Sequence, residues 1–325
     1  MTVDIAFFEA FTEERQQITE QLPPTISPVF YQDTIQEAGA SALPAKFISV
    51  RTQSVIPDGW KQELDAVLTR SQGFDHIHRM FTDCVKPVAL GYLGPYCSRA
   101  VAEHALMLLL MLIKNVKAQL DQFPRFYREG LTGREVFRRK VLIFGVGQIG
   151  SETAKLCRAC GMDVRGVDID PKWDGIEYVS LDEGLPWAEV VICAAALTDI
   201  TAGLLNRKRL AALPTGALFI NISRGEISPV EDLVSLIDEN RLGGVGLDVF
   251  PDEKDLGEKM RSGDIDDPLV RQVTAFAGRP NVICTPHNAF NSAEALALKT
   301  NRTLESVAAF YESGRFPYPV PEIKA

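Results

Sequence analysis

The stretch KVLIFGVGQIGSETAKLC, residues 140–157, constrains this chain more than any other. An apolar run at residues 141–144 leads into Gly145, Gly147 and Gly150 in G-x-G-x-x-G order, and a helical pattern follows at once. The glycine pattern alone is weak. Strand, glycine turn and helix in succession are the context that dinucleotide binding requires. Gly145 would make the tight turn, Gly147 would let backbone approach a pyrophosphate, and Gly150 would let helix and strand pack closely. The start of the helix, at Gln148 and Ile149, offers free N–H groups and a partial positive charge to that pyrophosphate. The next apolar run, MDVRGVD, ends at Asp168, about 20 residues further on, where a carboxylate can accept from ribose hydroxyls. Its charge repels a 2′-phosphate, and Ile169 and Asp170 follow rather than an arginine, so NAD is expected over NADP. A Rossmann-like domain for another nucleotide, such as a methyltransferase, is the alternative. The third glycine and the acid both weigh against it.

Around this unit short apolar runs alternate with helical patterns. VDIAFF, KFISV, LDAVLT and KPVAL read as strands in the first hundred residues, separated by polar and Pro-rich pieces such as QLPPTISP. VLIFG, MDVRGV, EVVIC, ALFINI, GGVGLDV and NVICT read as strands further on, with helices expected over 149–160, 206–212, 229–240 and 292–312. Between the two sets one long helix is expected from residue 98 to 123. Its apolar face is too broad for a single stripe, which predicts packing on two sides or against another subunit. Alternation on this scale predicts an α/β fold with parallel sheets covered by helices. A chain of 325 residues is long enough for two domains, each with its own core.

Composition excludes several classes. A net charge of −9 argues against nucleic acid as a partner. The basic cluster Arg134, Arg138, Arg139 and Lys140 is short and reads as a solvated approach to the next strand. The longest apolar run, residues 105–113, falls well below the roughly 20 residues that span a bilayer. The first residues show no basic leader or long apolar core, so a soluble, cytoplasmic protein is expected. Of six cysteines, only Cys157 and Cys160 have C-x-x-C spacing. They fall inside a predicted helix rather than at its N-terminus, where a thiolate would be stabilised, and read as packing residues. No second pair gives zinc-site spacing, so no metal is expected.

The chain has four histidines, and one of them, His287, follows the run NVICTP at a predicted strand end. Alone it would read as a turn cap. ALFINISRGE ends another strand in Ser223-Arg224-Gly225, and an arginine there is costly unless it meets an anion. Its guanidinium fork matches a carboxylate. GGVGLDVFPDE places Asp248 at a third strand end and Glu253 five residues later. Glu253 is placed to pair with His287, hold its ring and favour imidazolium. Hydride transfer between a nicotinamide and a 2-oxo acid needs such a set: a cation on the carboxylate, an acid/base for the hydroxyl proton, and a tuning neighbour. Singly, Arg224 could serve a helix C-terminus and Glu253 could be a solvated loop acid. Beside the fingerprint, those readings require four coincidences.

With these residues in view the chain resembles the D-isomer-specific 2-hydroxyacid dehydrogenases over nearly its whole length, most closely their D-lactate dehydrogenase branch. AVAEHALMLLL, GVGQIG, INISRG, GLDVF and TPHNAF are similar to family motifs and stand in the family's order. The resemblance implies a Rossmann doubly wound NAD domain, residues 100–290, inserted in a smaller flavodoxin-like substrate domain of residues 1–99 and 291–325. It implies Arg224 as substrate-binding arginine, Glu253 as the acid pairing with histidine, and His287 as proton donor. Gln148, Ile149, Asp168, Ala195, Ala196, Thr201, Ile222, Ser223, Arg224 and Asp248 would join the glycines around NAD. Gln72 and Gly73 in SQGFDHI would hold the substrate carboxylate with backbone N–H groups, beside the aromatics Tyr96 and Phe290. The substrate would be a short 2-oxo acid such as pyruvate, and the long helix would build a homodimer. The chain departs from the family pattern at Ala194-Ala195-Ala196, where a histidine or proline is common, and at Gln72, where a small apolar residue is common. Two other readings are a larger acid, such as hydroxypyruvate or phenylpyruvate, and an NAD-sensing protein without turnover.

Overall fold

A computed structural model of the chain describes residues 3–321. It divides into two compact units, one running to Cys97 and resuming at Asn291, the other Ser98–Phe290. The first unit opens with β1 (Ile5–Phe7), α1 (Thr12–Gln21), β2 (Pro28–Phe30) and β3 (Phe47–Val50). It continues through α2 (Asp58–Lys61), β4 (Ala66–Thr69), α3 (Asp75–Phe81) and β5 (Ala89–Tyr92). The strands form one parallel sheet in the order β2-β1-β3-β4-β5, the flavodoxin-like arrangement. β1, β3 and β4 are buried along their whole length, which is why they read as unbroken apolar runs rather than alternating ones. β2 lies in the segment expected to be a separator. It is an edge strand, so a proline can open it without breaking a ladder.

The second unit begins with α4 (Ser98–Ile113) and α5 (Val116–Gln122). The expected single helix is therefore two, broken where Asn115 turns left-handed at φ 52°. Part of the broad apolar face of α4 is covered within the unit: it packs on β10, β11 and β12 and on α6 (ranges below), and its residues from Val101 to Ile113 include seven that are buried, while Met107 stays exposed. Next come β6 (Lys140–Phe144), α6 (Gln148–Ala159), β7 (Asp163–Val167), β8 (Glu177–Tyr178), α7 (Leu181–Trp187) and β9 (Val190–Cys193). Then follow α8 (Arg207–Leu210), β10 (Ala217–Asn221), α9 (Val230–Asp238), β11 (Leu242–Leu247), α10 (Glu253–Ser262), α11 (Pro268–Ala277) and β12 (Val282–Cys284). All seven strands are parallel, in the order β12-β11-β10-β9-β6-β7-β8. Counted from β6 this is 3-2-1-4-5-6-7, the doubly wound Rossmann order with one added strand. The reversal of order lies between β6 and β9, at the Gly145 turn.

The chain then returns to the first unit as α12 (Ala293–Ser313), whose start is capped by Ser292 accepting from Ala295 N–H at 3.1 Å. Cys157 is buried in α6, where burial pushes its thiol up to about 12 and keeps it protonated; Cys160 closes the helix. Among the described residues no helix is long and apolar enough to cross a membrane, and no cluster of His, Cys, Asp or Glu forms a metal-ligand set.

Candidate active site

The glycine turn is built by close approach. A Cβ on Gly145, whose φ is +90°, would lie 2.3 Å from Ala195 Cα, and one on Gly150 would lie 2.0 Å from the Gly145 carbonyl. Gly147 differs: it is exposed, and a Cβ there would meet nothing within 4 Å. It stands at the N-cap of α6 with no side chain capping the first turn, so the N–H groups at the start of that helix face open space beside Gln148 and Ile149. That is a cradle for a pyrophosphate. Asp168, after β7, accepts from Val146 N–H at 2.6 Å and from Asp170 N–H at 2.9 Å. Both carboxylate oxygens keep a lone pair for ribose hydroxyls. The residues present therefore fit NAD.

The departure at Ala194, Ala195 and Ala196 sits against this turn. Small side chains suit the crowding at Gly145, and Ser223 Oγ donates to the Ala195 carbonyl. Thr201 Oγ1 donates to Ala196 O at 2.7 Å and accepts from Thr198 N–H at 2.8 Å, which folds the loop after β9 back on itself. Ile222 is buried at the end of β10.

Arg224 leaves the C-terminal end of β10. The turn below it is held by Asn221, a fully buried residue the sequence reading passed over. Its Nδ2 donates to Arg224 O and Ser228 Oγ, both at 2.9 Å, and its Oδ1 accepts from Ser223 N–H at 3.0 Å. Arg224 Nη1 donates to Ser223 O at 2.8 Å. The signal was present in ALFINISRG: an asparagine inside an apolar strand has to be satisfied locally.

Glu253 is the first residue of α10 rather than part of a charged loop. One of its oxygens accepts from Phe250 N–H at 2.9 Å, and the other lies 2.6 Å from His287 Nδ1. Both side chains are about one-fifth exposed. With Nδ1 turned to the carboxylate, Nε2 is the nitrogen left to exchange a proton with a ligand. His287 sits at φ 49°, an uncommon conformation for a non-glycine residue. Asp248 holds it there. The Asp248 carboxylate is fully buried and accepts from Asn288 N–H and Ala289 N–H, each at 2.9 Å, and from Thr285 Oγ1 at 2.5 Å. Asp248, expected to touch the cofactor, brackets the histidine turn with its carboxylate. His104 on α4 adds Nε2 to Thr285 Oγ1 at 2.9 Å, and burial lowers its pKa against the opposing pull of Asp248. His104 and Thr285 were not singled out in the sequence, because no spacing rule links positions 181 residues apart.

Since β11 separates β10 from β12, Arg224 and His287 leave one edge of the sheet two strands apart. Gly145, Asp168 and residues 194–196 leave the same edge, the carboxyl ends where open parallel sheets bind ligands. Phe290 lies edge-on to His287, with centroids 6.4 Å apart. A cavity of about 280 Å³ near Leu112, Arg134, Thr215 and Gly243 lies at the opposite, amino-terminal edge, away from all of these.

In the first unit Gln72 and Gly73 follow β4. Gln72 Oε1 accepts from Tyr96 N–H at 3.3 Å and from Cys97 at its N–H and thiol, at 3.5 and 3.4 Å, so it ties its turn to the segment carrying Tyr96. A small apolar residue could not make that tie. The Tyr96 side chain is buried, and burial pushes its phenol well above the usual range.

Comparison with known proteins follows the same lines. Residues 106–289 match the family described as "D-isomer specific 2-hydroxyacid dehydrogenase, NAD binding domain". The 2-hydroxyacid dehydrogenase homolog 1 of Schizosaccharomyces pombe is 32% identical over 68% of each chain. The D-specific alpha-keto acid dehydrogenase of Enterococcus faecalis is 29% identical over 89% of this chain and 90% of its own. The crystal structure of D-lactate dehydrogenase from Aquifex aeolicus, complexed with NAD and lactic acid, superposes with a TM-score of 0.83 at 26% identity, covering 97% of this chain and 99% of that one.

Proposed function

The chain belongs to the D-isomer-specific 2-hydroxyacid dehydrogenases, NAD-dependent enzymes, and from that premise we propose that it interconverts a short 2-oxo acid and the D-2-hydroxy acid, with pyruvate and D-lactate as the candidate pair. The observation that carries this reading is the 2.6 Å pair of His287 and Glu253 at the sheet edge that also presents Arg224 and the glycine turn.

When bound, NADH would supply the hydride for the C2 carbonyl. Gly147, Gln148 and Ile149 would hold the pyrophosphate, and Asp168 would take the ribose. Arg224 pairs with the substrate carboxylate and polarises the carbonyl, a role for which its planar fork suits it. The N–H groups near Gln72 and Gly73, in the first unit, would hold a substrate carboxylate, as the family resemblance implies. His287 donates a proton from Nε2 to the carbonyl oxygen, while Glu253 keeps Nδ1 engaged and neutralises the ring's charge. In the reverse direction His287 takes that proton back. Arg224, buried in part and donating to its own neighbour's carbonyl, arrives with its fork already oriented, which lowers the cost of binding.

The relatives named for lactate and for alpha-keto acids support a small 2-oxo acid as the substrate class. The test is a panel of 2-oxo acids with NADH and NADPH, read as kcat/KM. Pyruvate or another short acid with NADH should lead. A lead for phenylpyruvate, or no turnover at all, would overturn this reading.

A further inference from the structure

The first unit contains a buried ionic group with no part in the chemistry above. Arg70 and Glu14 are fully buried, and Lys299 is 2% exposed. Arg70 directly follows β4 and directly precedes the turn at residues 71–73. It donates from Nε to Glu14 Oε1 at 2.9 Å and from Nη1 to Ser49 Oγ at 3.0 Å. Its Nη2 reaches the carbonyls of Phe8 and Glu9 at 2.6 and 3.1 Å. Lys299 Nζ, on α12, lies 2.9 Å from the same Glu14 Oε1. Glu14 Oε2 is buried and has no partner among the described residues. Two cations thus share one oxygen of one carboxylate, and with Lys299 protonated the group carries a surplus positive charge. The charged groups facing Lys299 are Glu14 from α1, Arg51 after β3 and Arg70 after β4.

Stability does not account for this arrangement, because well-packed apolar residues often hold such elements at least as firmly as a buried ion pair. The surplus charge ends at the residue from which the substrate turn starts, and a 2-oxo acid is an anion. We propose that Lys299 is a positioning residue for the substrate: acting through Glu14 and Arg70, its ammonium fixes the turn at residues 71–73 and supplies the positive charge that favours a carboxylate there. This rests on the function proposed above.

Burial, together with Arg51 and Arg70, brings Lys299 down to about 7 against the opposing pull of Glu14. Burial raises Glu14, but Arg70 and Lys299 outweigh it and hold the carboxyl at about 2. Glu14 therefore stays charged while Lys299 loses its proton as pH rises through about 7. The group then goes from a surplus positive charge to neutral, and substrate affinity falls.

The experiment compares wild type, Lys299→Met and Lys299→Arg from about pH 6 to about pH 9, measuring kcat and KM for the best 2-oxo acid of the panel with NADH. Lys299→Arg stays charged across that range. At the acid end KM of Lys299→Met should exceed wild type by roughly three- to tenfold, the size of one partly screened charge, and the two should merge at the alkaline end. Lys299→Arg should match wild type at the acid end and fall below it at the alkaline end by a similar factor. kcat should change little in either variant. Any pH dependence of the chemical step is common to all three proteins and cancels in the comparison. A purely structural role would raise KM equally at every pH, and parallel or coincident curves overturn the proposal. If one variant does not fold, as judged by circular dichroism, the curve of the other against wild type decides alone. No turnover by wild type with any 2-oxo acid removes the functional reading and this proposal together, whereas turnover with parallel curves removes the proposal alone.

Discussion

At the scale of single residues, what matters is which atom is left available. His287 Nδ1 is engaged by Glu253, so proton exchange falls to Nε2. General acid/base action contributes about 10²–10⁴ in rate, and His287→Ala should lower kcat by roughly that factor while NADH affinity, measured by fluorescence titration, stays close to wild type. Near-normal turnover would remove the histidine from the mechanism. Asp168 braces Val146 N–H and, in the proposed function, meets the ribose. Asp168→Asn keeps an acceptor for the brace and removes the charge. The preference for NADH over NADPH should then relax about tenfold or more, read as the ratio of kcat/KM values. An unchanged ratio would locate cofactor choice elsewhere. Arg224, Glu253 and His287 were legible because each is a costly residue at the end of an apolar run. Asn221, Thr285 and His104 were not, because their partners become neighbours only when strands far apart in sequence pair.

At the scale of elements, the buried parallel strands were plain in the sequence as apolar runs, and their ends located the site. Two of the edge strands were not. β2 and the two-residue β8 carry little apolar signal because only one neighbour and part of one face shield them. The helices α10 and α11 were not among the expected ones; six of the ten residues of α10 are charged and only Leu256 is buried. Yet α10 delivers Glu253, and the contact that sets its place is Gly225. A Cβ on Gly225 would lie 1.9 Å from the Phe250 carbonyl carbon and 2.1 Å from Pro251 N. The arginine turn and the segment leading to Glu253 are therefore packed backbone on backbone. Gly225→Ala should force them apart, costing about 1–3 kcal/mol of stability as seen in the thermal midpoint. A shift on the order of 1 Å in catalytic groups can lower kcat/KM about 10²-fold. An alanine variant with both values unchanged would show that this contact does not register the site.

At the scale of the molecule, the two units follow two familiar winding orders, and the chain passes from one to the other at Cys97/Ser98 and again at Phe290/Asn291. The second unit carries an apolar surface that its own fold does not cover. Leu120, Phe123, Phe126 and Tyr127, on α5 and the turn after it, are each more than half exposed. Scattered apolar residues on a surface need no explanation, but four large ones within eight positions form a patch of the kind that marks an interface. The sequence pointed to α4 as the surface that pairs two subunits. That helix buries seven residues against its own sheet and α6 but leaves Met107 exposed and Leu106, Leu110 and Met111 half-buried, so α4 together with α5 and the following turn is the candidate surface for a second copy. A homodimer through this surface is our proposal for the assembly. A two-fold contact would set the patch against itself, so that each aromatic counts twice in the buried area. Specific interfaces bury about 1,200–2,000 Å² in total. Sedimentation velocity at micromolar concentration should therefore give a dimer for wild type. Replacing Phe123 and Phe126 together by serine should shift it to monomer with the thermal midpoint of the second unit little changed, because neither ring contributes to the core. A wild-type monomer, or a dimer indifferent to both substitutions, would place the subunit contact on another face or remove it.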